Sequence, residues 1–380
     1  MDKNKIILGV IVALLVVGIG ITLVMNRGRN DDVIKIGAIL PLTGGAAEFG
    51  TESRNAIQLF VDLTNNNGGI NGRKIQLIIE DGELEPKKAI SALKKLVEID
   101  RVEYVITCFS QISFPVAEHL SNRKPPIVHI ASHVSPIDFI DISPWSFRVN
   151  QSSLVEAQAF VDYLVKKKNR TRVAVYYSND DFGNTFRRSF LSCLQESGGT
   201  IVYEETFERG QQDHRNAIAQ MRASSPDICL FLGNDHTVAH AIRQARQTGL
   251  NVDVAITLAV ASKANLDIAG DAVNGLYCCI AWFDAHKTES AQAMTFDADY
   301  TKRYGEPPSF YAAYPYAAMT VLAEGIRRSP SGKPEEVRSV MMQITEFDTV
   351  AGVVSATDKG DFPLLVEIMR WDGKIFVQPD

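Results

Sequence analysis

The 380-residue chain is too long for one small domain and suits two lobes of about 150 residues each. Its hydrophobic content of 46% supplies ample core, and no charge run or low-complexity tract interrupts the chain. A net charge of −6 argues against nucleic acid as a partner.

The first apolar segment runs from Ile6 to Met25, broken among polar types only by Thr22, and is long enough to span a bilayer as a helix. Lys3 and Lys5 precede it as in an export signal. No small-x-small cleavage pattern precedes Asn26-Arg27, and no cysteine there could carry a lipid, so the segment reads as an uncleaved anchor; the alternative is a cleaved signal. Lysine and arginine are balanced on its two sides and leave the orientation open. Asn26 to Asp32 reads as a polar tether.

Beyond it, Ile34–Leu40 is an apolar run ended by Pro41 and reads as a buried parallel strand. Thr43-Gly44-Gly45 is a turn, and Ala56, Ile57, Phe60, Val61 and Leu63 mark one face of a helix stopped by Asn66-Asn67-Gly68-Gly69. A strand at Ile75–Ile79 and a helix carrying Ile90, Leu93, Leu96 and Val97 complete the opening of an open parallel α/β sheet. Tyr104–Phe109 and Ile127–Ala131 are further strands, and Trp145–Val149 reads as a connector.

A second α/β series follows. Helices are expected at Leu154–Lys167, Thr185–Gln195, Asn216–Arg222 and Thr237–Gln247, and strands at Val173–Tyr177, Ile201–Thr206, Ile228–Leu232 and Val254–Thr257. A strand at Gly275–Ile280 precedes helices at Ala291–Tyr304, Tyr311–Arg327 and Glu335–Met342. Val350–Ser355 and Leu364–Trp371 read as strands of a final hairpin-like unit. The five cysteines (Cys108, Cys193, Cys229, Cys278, Cys279) show no metal-ligand spacing and read as buried thiols, with Cys278 and Cys279 on opposite faces of a strand.

The segment IGAILPLTG, the Phe49-Gly50 pair and NNNGGINGRKIQLIIED together resemble the periplasmic amino-acid-binding proteins of the leucine/isoleucine/valine type. The resemblance covers nearly everything after residue 33. It implies a two-lobed type I periplasmic-binding (Venus-flytrap) α/β fold, parallel sheets flanked by helices, with the body outside the cytoplasm. It also implies three passages between lobes, near 149, 280 and 353. The expected plan is an anchor and tether over 1–32, a first lobe of 33–149 and 281–353, and a second of 150–280 and 354–380.

Open α/β sheets bind ligands beyond the carboxyl ends of their strands. Ser110 follows a strand and opens a helix, which suits either a cap or a site for a small carboxylate. The segment VITCFSQISFPVA resembles the family stretch whose serine holds the ligand's α-carboxylate, which implies that role for Ser110. Ala131-Ser132-His133 matches the loop touching the same ligand, with His133 replacing a hydroxyl residue and adding a bulkier, titratable group; a solvent-facing loop histidine is the plainer reading. YYSNDDFGNTF resembles a strand-end motif that places Phe182 in the cleft wall, opposite Phe49. Tyr311, in FYAAYPYAAM, matches a cleft aromatic. The glutamate that the resemblance leads one to expect after the next strand, for the ligand's ammonium, is replaced by Leu258 or Ala259. Asp235, in FLGNDHTVAH, stands where an aromatic is usual. Either Asp235 supplies the missing carboxylate or the ligand lacks the amine.

His236 and His240 have a helical spacing that can bind metal, but no acid between them and no third ligand favour a surface pair. No phosphate loop, dinucleotide fingerprint, nucleophile elbow or cysteine–histidine arrangement stands out, so neither an enzyme nor a cofactor is expected. The implied function is a membrane-tethered solute-binding protein that closes on an amino acid or related carboxylate and delivers it to an ABC permease. The alternative is a ligand-sensing receptor signalling through a membrane partner.

Overall fold

The computed structural model describes residues 33–233, 236–287 and 289–379. The expected anchor at Ile6–Met25, its tether and Asp235 lie outside them. Among the described residues no helix is long and apolar enough to cross a membrane.

The opening apolar run forms β1 (Val33–Leu40), buried over most of its length because it lies inside a sheet covered on both faces. Strand β2 (Lys74–Asp81) pairs with it in parallel at the sheet edge and is correspondingly less buried. Strands β3 (Tyr104–Cys108), β4 (Val128–Ser132) and β5 (Ser146–Asn150) extend the sheet in parallel on the other side. Most of the stretch read as a connector, Trp145–Val149, is thus part of a fully buried strand, with Trp145 half-buried just before it.

The second sheet is built from β6 (Arg172–Ser178), β7 (Thr200–Phe207), β8 (Ile228–Leu232), β9 (Asp253–Ile256) and β10 (Tyr277–Ala281), again parallel. Cys278 and Cys279 of β10 enter separate core clusters on its two faces, and all five cysteines are free and buried. Helix Phe310–Arg328 then packs on helix Ala47–Asn66 and on β3, β4 and β5, returning the chain to the first sheet.

The end of the chain differs from the sequence expectation. β11 (Phe347–Thr349) and β12 (Gly352–Val354) form their own small hairpin, so Val350–Ser355 does not pair with the last strands. β13 (Asp361–Pro363) joins the first sheet beside β5, and only then does the chain pass to β14 (Val366–Trp371), antiparallel to β10, and β15 (Phe376–Val377). The final passage between sheets therefore lies between Pro363 and Val366, beyond the expected point near 353. A three-residue strand is too short to show a periodicity.

What holds β13 in place is an ion pair between a buried guanidinium and a half-buried carboxylate. Arg148 of β5 is 2% exposed, and its Nε and Nη2 donate to the two carboxylate oxygens of Asp361 at 2.9 and 2.6 Å. Its Nη1 donates to the carbonyls of Pro136 and Val134 at 2.6 and 3.3 Å. Removing one partner of a buried, hydrogen-bonded pair strands the other charge, which costs about 3–5 kcal/mol. Asp361→Ala should therefore lower the unfolding free energy by about that amount in a denaturant titration, whereas the joint change Arg148→Met, Asp361→Leu should cost clearly less.

Candidate ligand-binding cleft

The carboxyl ends of the parallel strands of both sheets open onto one cleft of about 840 Å³. From the first sheet it takes the turn after β1, the start of helix Ser110–Leu120 after β3, and the loop after β4. From the second it takes the start of helix Asp181–Gln195 after β6, His236 after β8, and Leu258 after β9. Phe49, Ser110, His133, Phe182 and Tyr311, expected from sequence, all line it.

Two matching devices set its walls. Phe49-Gly50 and Phe182-Gly183 each lie in the first turn of a helix that follows a strand. A side chain at Gly50 would meet the carbonyl oxygen of Pro41 at 1.8 Å, and one at Gly183 that of Ser178 at 2.1 Å. Glycine lets each helix start pack directly on its strand end, and so fixes where the neighbouring phenylalanine stands. The second helix is also capped, because the Asp180 carboxylate accepts from Gly183 N–H at 2.9 Å.

The first-sheet wall is aromatic. Tyr311 stacks on Phe49 with ring centroids 4.3 Å apart and on Phe109 at 6.2 Å. The His133 ring lies among Phe109, Phe310, Tyr311 and Tyr314, with centroids 5.3, 5.8, 5.1 and 5.5 Å away. Both Phe109 and His133 are held in the left-handed backbone region, at φ 73° and 57°. Such strained residues tend to cluster at ligand sites. The Tyr311 carbonyl can only accept, so the His133 contact at 3.3 Å places the imidazole proton on Nε2. Burial pushes the ring down to about 3. His133 is therefore a neutral packing residue with an acceptor at Nδ1, and not the titratable, solvent-facing group that sequence allowed.

Ser110 opens its helix. Phe109 N–H donates to the Ser132 carbonyl, and the Phe109 carbonyl accepts from Ile112 and Ser113, so the helix start is firmly placed. The first amides of a helix favour an anion. Ala131 and Ser132 do not line the cleft. Both are 0% exposed within β4; Ser132 Oγ contacts Cys108 Sγ at 3.1 Å, and the Ala131 backbone is paired with β3 and β5. Asp235 lies outside the described residues. His236 reaches the cleft, with its ring 6.0 Å from that of His240, which accepts from Arg243.

The structure adds cleft residues that sequence reasoning passed over: Asn150, Gln151 and Glu156, where the chain enters the second series. Ser152 caps the helix Ser153–Phe160, accepting from Val155 N–H at 3.3 Å, which turns Glu156 inward in the first turn. Glu156 is 2% exposed; Oε1 accepts from Gln151 Nε2 at 3.2 Å, while Oε2 has no partner among the described residues. Burial outweighs the hydrogen bond from Gln151 and the amide of Leu258, and pushes the carboxyl up to about 7. In sequence Glu156 is simply one polar residue of the helix expected at Leu154–Lys167. The one available signal was its place just after a serine cap.

Two outcomes follow from this geometry. Gly50→Ala or Gly183→Ala drives a methyl into a backbone carbonyl and should cost about 1–3 kcal/mol in denaturant unfolding, with loss of the phenylalanine's position. The second concerns pH. Between about 4.5 and about 7 Glu156 is ionised in the unfolded chain but holds its proton when folded. The folded state thus binds more protons, and its stability is greatest below that window and falls as pH rises through it. Burial raises Asp284 to about 7 and adds a slope of the same sign. Thermal midpoints across this window should therefore fall less steeply for Glu156→Gln than for the wild type; identical profiles would mean that the carboxyl is already ionised.

Comparison with known proteins bears on what such a cleft serves. A sequence model described as a periplasmic binding protein matches residues 33–374. The Leu/Ile/Val-binding protein homolog 1 of Brucella abortus (strain 2308) is 27% identical over 364 residues, covering 93% of this chain and 95% of the relative. Among solved structures, the branched-chain amino acid transporter substrate binding protein of Streptococcus pneumoniae, in complex with isoleucine, is 23% identical with a TM-score of 0.78, covering 91% of this chain and 100% of its own. A solute binding protein of an ABC transporter from Rhodopseudomonas palustris BisB5, in complex with 3,4-dihydroxybenzoic acid, is 22% identical with a TM-score of 0.77, covering 91% and 96%. The last two likenesses establish the shared fold. The two sheets, with one cleft at the carboxyl ends of their strands, are built on that shared fold, and the chain belongs to the periplasmic binding protein family.

Proposed function

We propose that this protein captures a small carboxylate-bearing molecule, an amino acid in the first instance, between its two lobes and delivers it to an ABC importer. The observation that carries the reading is that one cleft draws its lining from the strand ends of both sheets, so that closure of one lobe on the other would bury a ligand against donors from each. On this reading the start of helix Ser110–Leu120 takes the carboxylate, and the Phe49, Phe109 and Tyr311 rings take the apolar body. The passages between sheets at 150–152, after 281 and at 363–366 form the hinge. The apolar segment Ile6–Met25 holds the body at the outer face of the membrane, and the permease reads the closed form.

The aromatic wall also favours a second reading, an aromatic carboxylate without an amine. The family and the Rhodopseudomonas relative's ligand are compatible with it.

The test is thermal unfolding of the full-length protein in detergent, followed by intrinsic fluorescence, against aliphatic and aromatic amino acids, carboxylates, amides and ureas. A ligand at a hundred times its dissociation constant adds about 2.7 kcal/mol of stability. One class of small carboxylates should shift the midpoint, and Ser110→Ala should weaken its binding about tenfold or more, the worth of a hydrogen bond to a charged group. A panel with no shift, or a ligand bound equally well by Ser110→Ala and by Tyr311→Ala, would overturn the proposal.

A further inference from the structure

Where β5 enters the second series, the cleft carries a group of buried polar atoms that the rest of the protein leaves unmatched. Asn150 Oδ1, Gln151 Oε1 and Glu156 Oε2 are each buried without a hydrogen-bond partner among the described residues, and all three residues line the cleft. The two amide oxygens are acceptors, and so is the carboxyl oxygen once Glu156 gives up the proton that burial holds on it. Glu156, Asn150 and Gln151 are between 1% and 5% exposed, and among the described residues no lysine, arginine or histidine is ion-paired with Glu156. A buried carboxylate with an unpaired oxygen costs free energy unless a donor, best of all a cation, meets it.

The amide of Leu258 is directed at the same carboxyl, and Leu258 also lines the cleft. Glu156 is thus brought beside the strand end of β9 by a different element, the first turn of helix Ser153–Phe160.

From this juxtaposition we infer that Glu156, with the side-chain carbonyls of Asn150 and Gln151, forms the ammonium-recognising end of the cleft and makes the ligand a primary amine as well as a carboxylate. The inference rests on the ligand-capture reading above and narrows it. An ammonium offers donors in several directions, and three acceptors without donors of their own match it; an amine-free carboxylate would leave all three unmatched. Glu156, and not Asp235, then decides between amino acids and amine-free carboxylates.

Calorimetric titration of the full-length protein in detergent tests this with leucine and with 4-methylpentanoate, the same skeleton without the amine, alongside phenylalanine and 3-phenylpropanoate. The wild type should bind the amine-bearing member of a pair at least tenfold more tightly. Glu156→Gln should lose about 30-fold or more in affinity for the amine, as truncating a buried charge partner does, while binding of the amine-free member changes less than threefold. Glu156→Ala is the second variant should the amide not fold. Asp235→Ala should retain the preference. Unchanged amino-acid affinity in both Glu156 variants, or loss of the preference in Asp235→Ala alone, overturns the inference and leaves the capture reading standing. So does a wild type that binds only amine-free carboxylates. A wild type that binds neither class overturns both.

Discussion

A buried guanidinium must place all its N–H groups, and the way Arg148 does so organises the molecule around the cleft. Two of its nitrogens grip Asp361, which draws the short β13 against β5; a third holds the carbonyls of Val134 and Pro136. That third set fixes the loop that follows β4, whose His133, Ser135 and Pro136 line the cleft. One side chain therefore ties the last first-sheet strand, from which the final passage departs, to a wall of the site more than two hundred residues earlier in the chain. The desolvation cost of such a pair is large, and it is offset here because each of those nitrogens has an acceptor.

The two sheets solve the same problem with the same local chemistry. A helix beginning immediately after a parallel strand must bring its backbone close to that strand's last carbonyls, and only a residue without Cβ permits this at Gly50 and Gly183. The residue before each glycine is then turned towards the cleft, and both are phenylalanine. The first wall is further stiffened by Tyr311, whose helix reaches the first sheet from late in the chain and whose carbonyl accepts from both Ser53 Oγ and His133. The second wall has fewer rings and more polar groups, with Thr185, Arg188 and Arg209 among its lining. The cleft therefore has a chemical gradient from an aromatic side to a polar one, as a ligand with an apolar body and charged ends requires.

Much of this was legible in the sequence because it is carried by local pattern. The buried strands are apolar runs, the helices show their period, and the Phe-Gly pairs and the strand-to-helix serine at 110 sit where their chemistry needs them. What was not legible depends on tertiary placement. β13 is three residues long and is a strand only because Arg148 and Phe147 receive it, the latter ring 6.3 Å from that of Phe362. His133 is neutral because four rings surround it, three from a helix more than a hundred and fifty residues away and the fourth from the turn after β3. Ser132 was expected in a loop touching the ligand, but β4 extends one residue further than its apolar run and takes Ser132 into the core. Burial and partnership are properties of the assembled fold, and single-residue pattern does not encode them.

Glu156 illustrates how charge and conformation are coupled at such a site. Its carboxyl is enclosed by Gln151 and the Leu258 amide, with Tyr314, Cys278 and Cys279 close enough to feel its charge, and none of these neighbours is a cation. Gln151 and Glu156 belong to the segment by which the chain first enters the second series, Leu258 to the strand end of that series, and Tyr314 to the helix that packs on the first sheet. A group placed where these elements converge reports on their relative position: any movement of one against another changes its solvation and therefore its affinity for a proton or for a cation. On the proposed reading, an ammonium bound to Glu156 would favour whichever arrangement of the lobes excludes most water from the pair, because the attraction grows as the surroundings become less polar. Recognition of the amine and closure of the cleft would then be two expressions of one electrostatic requirement.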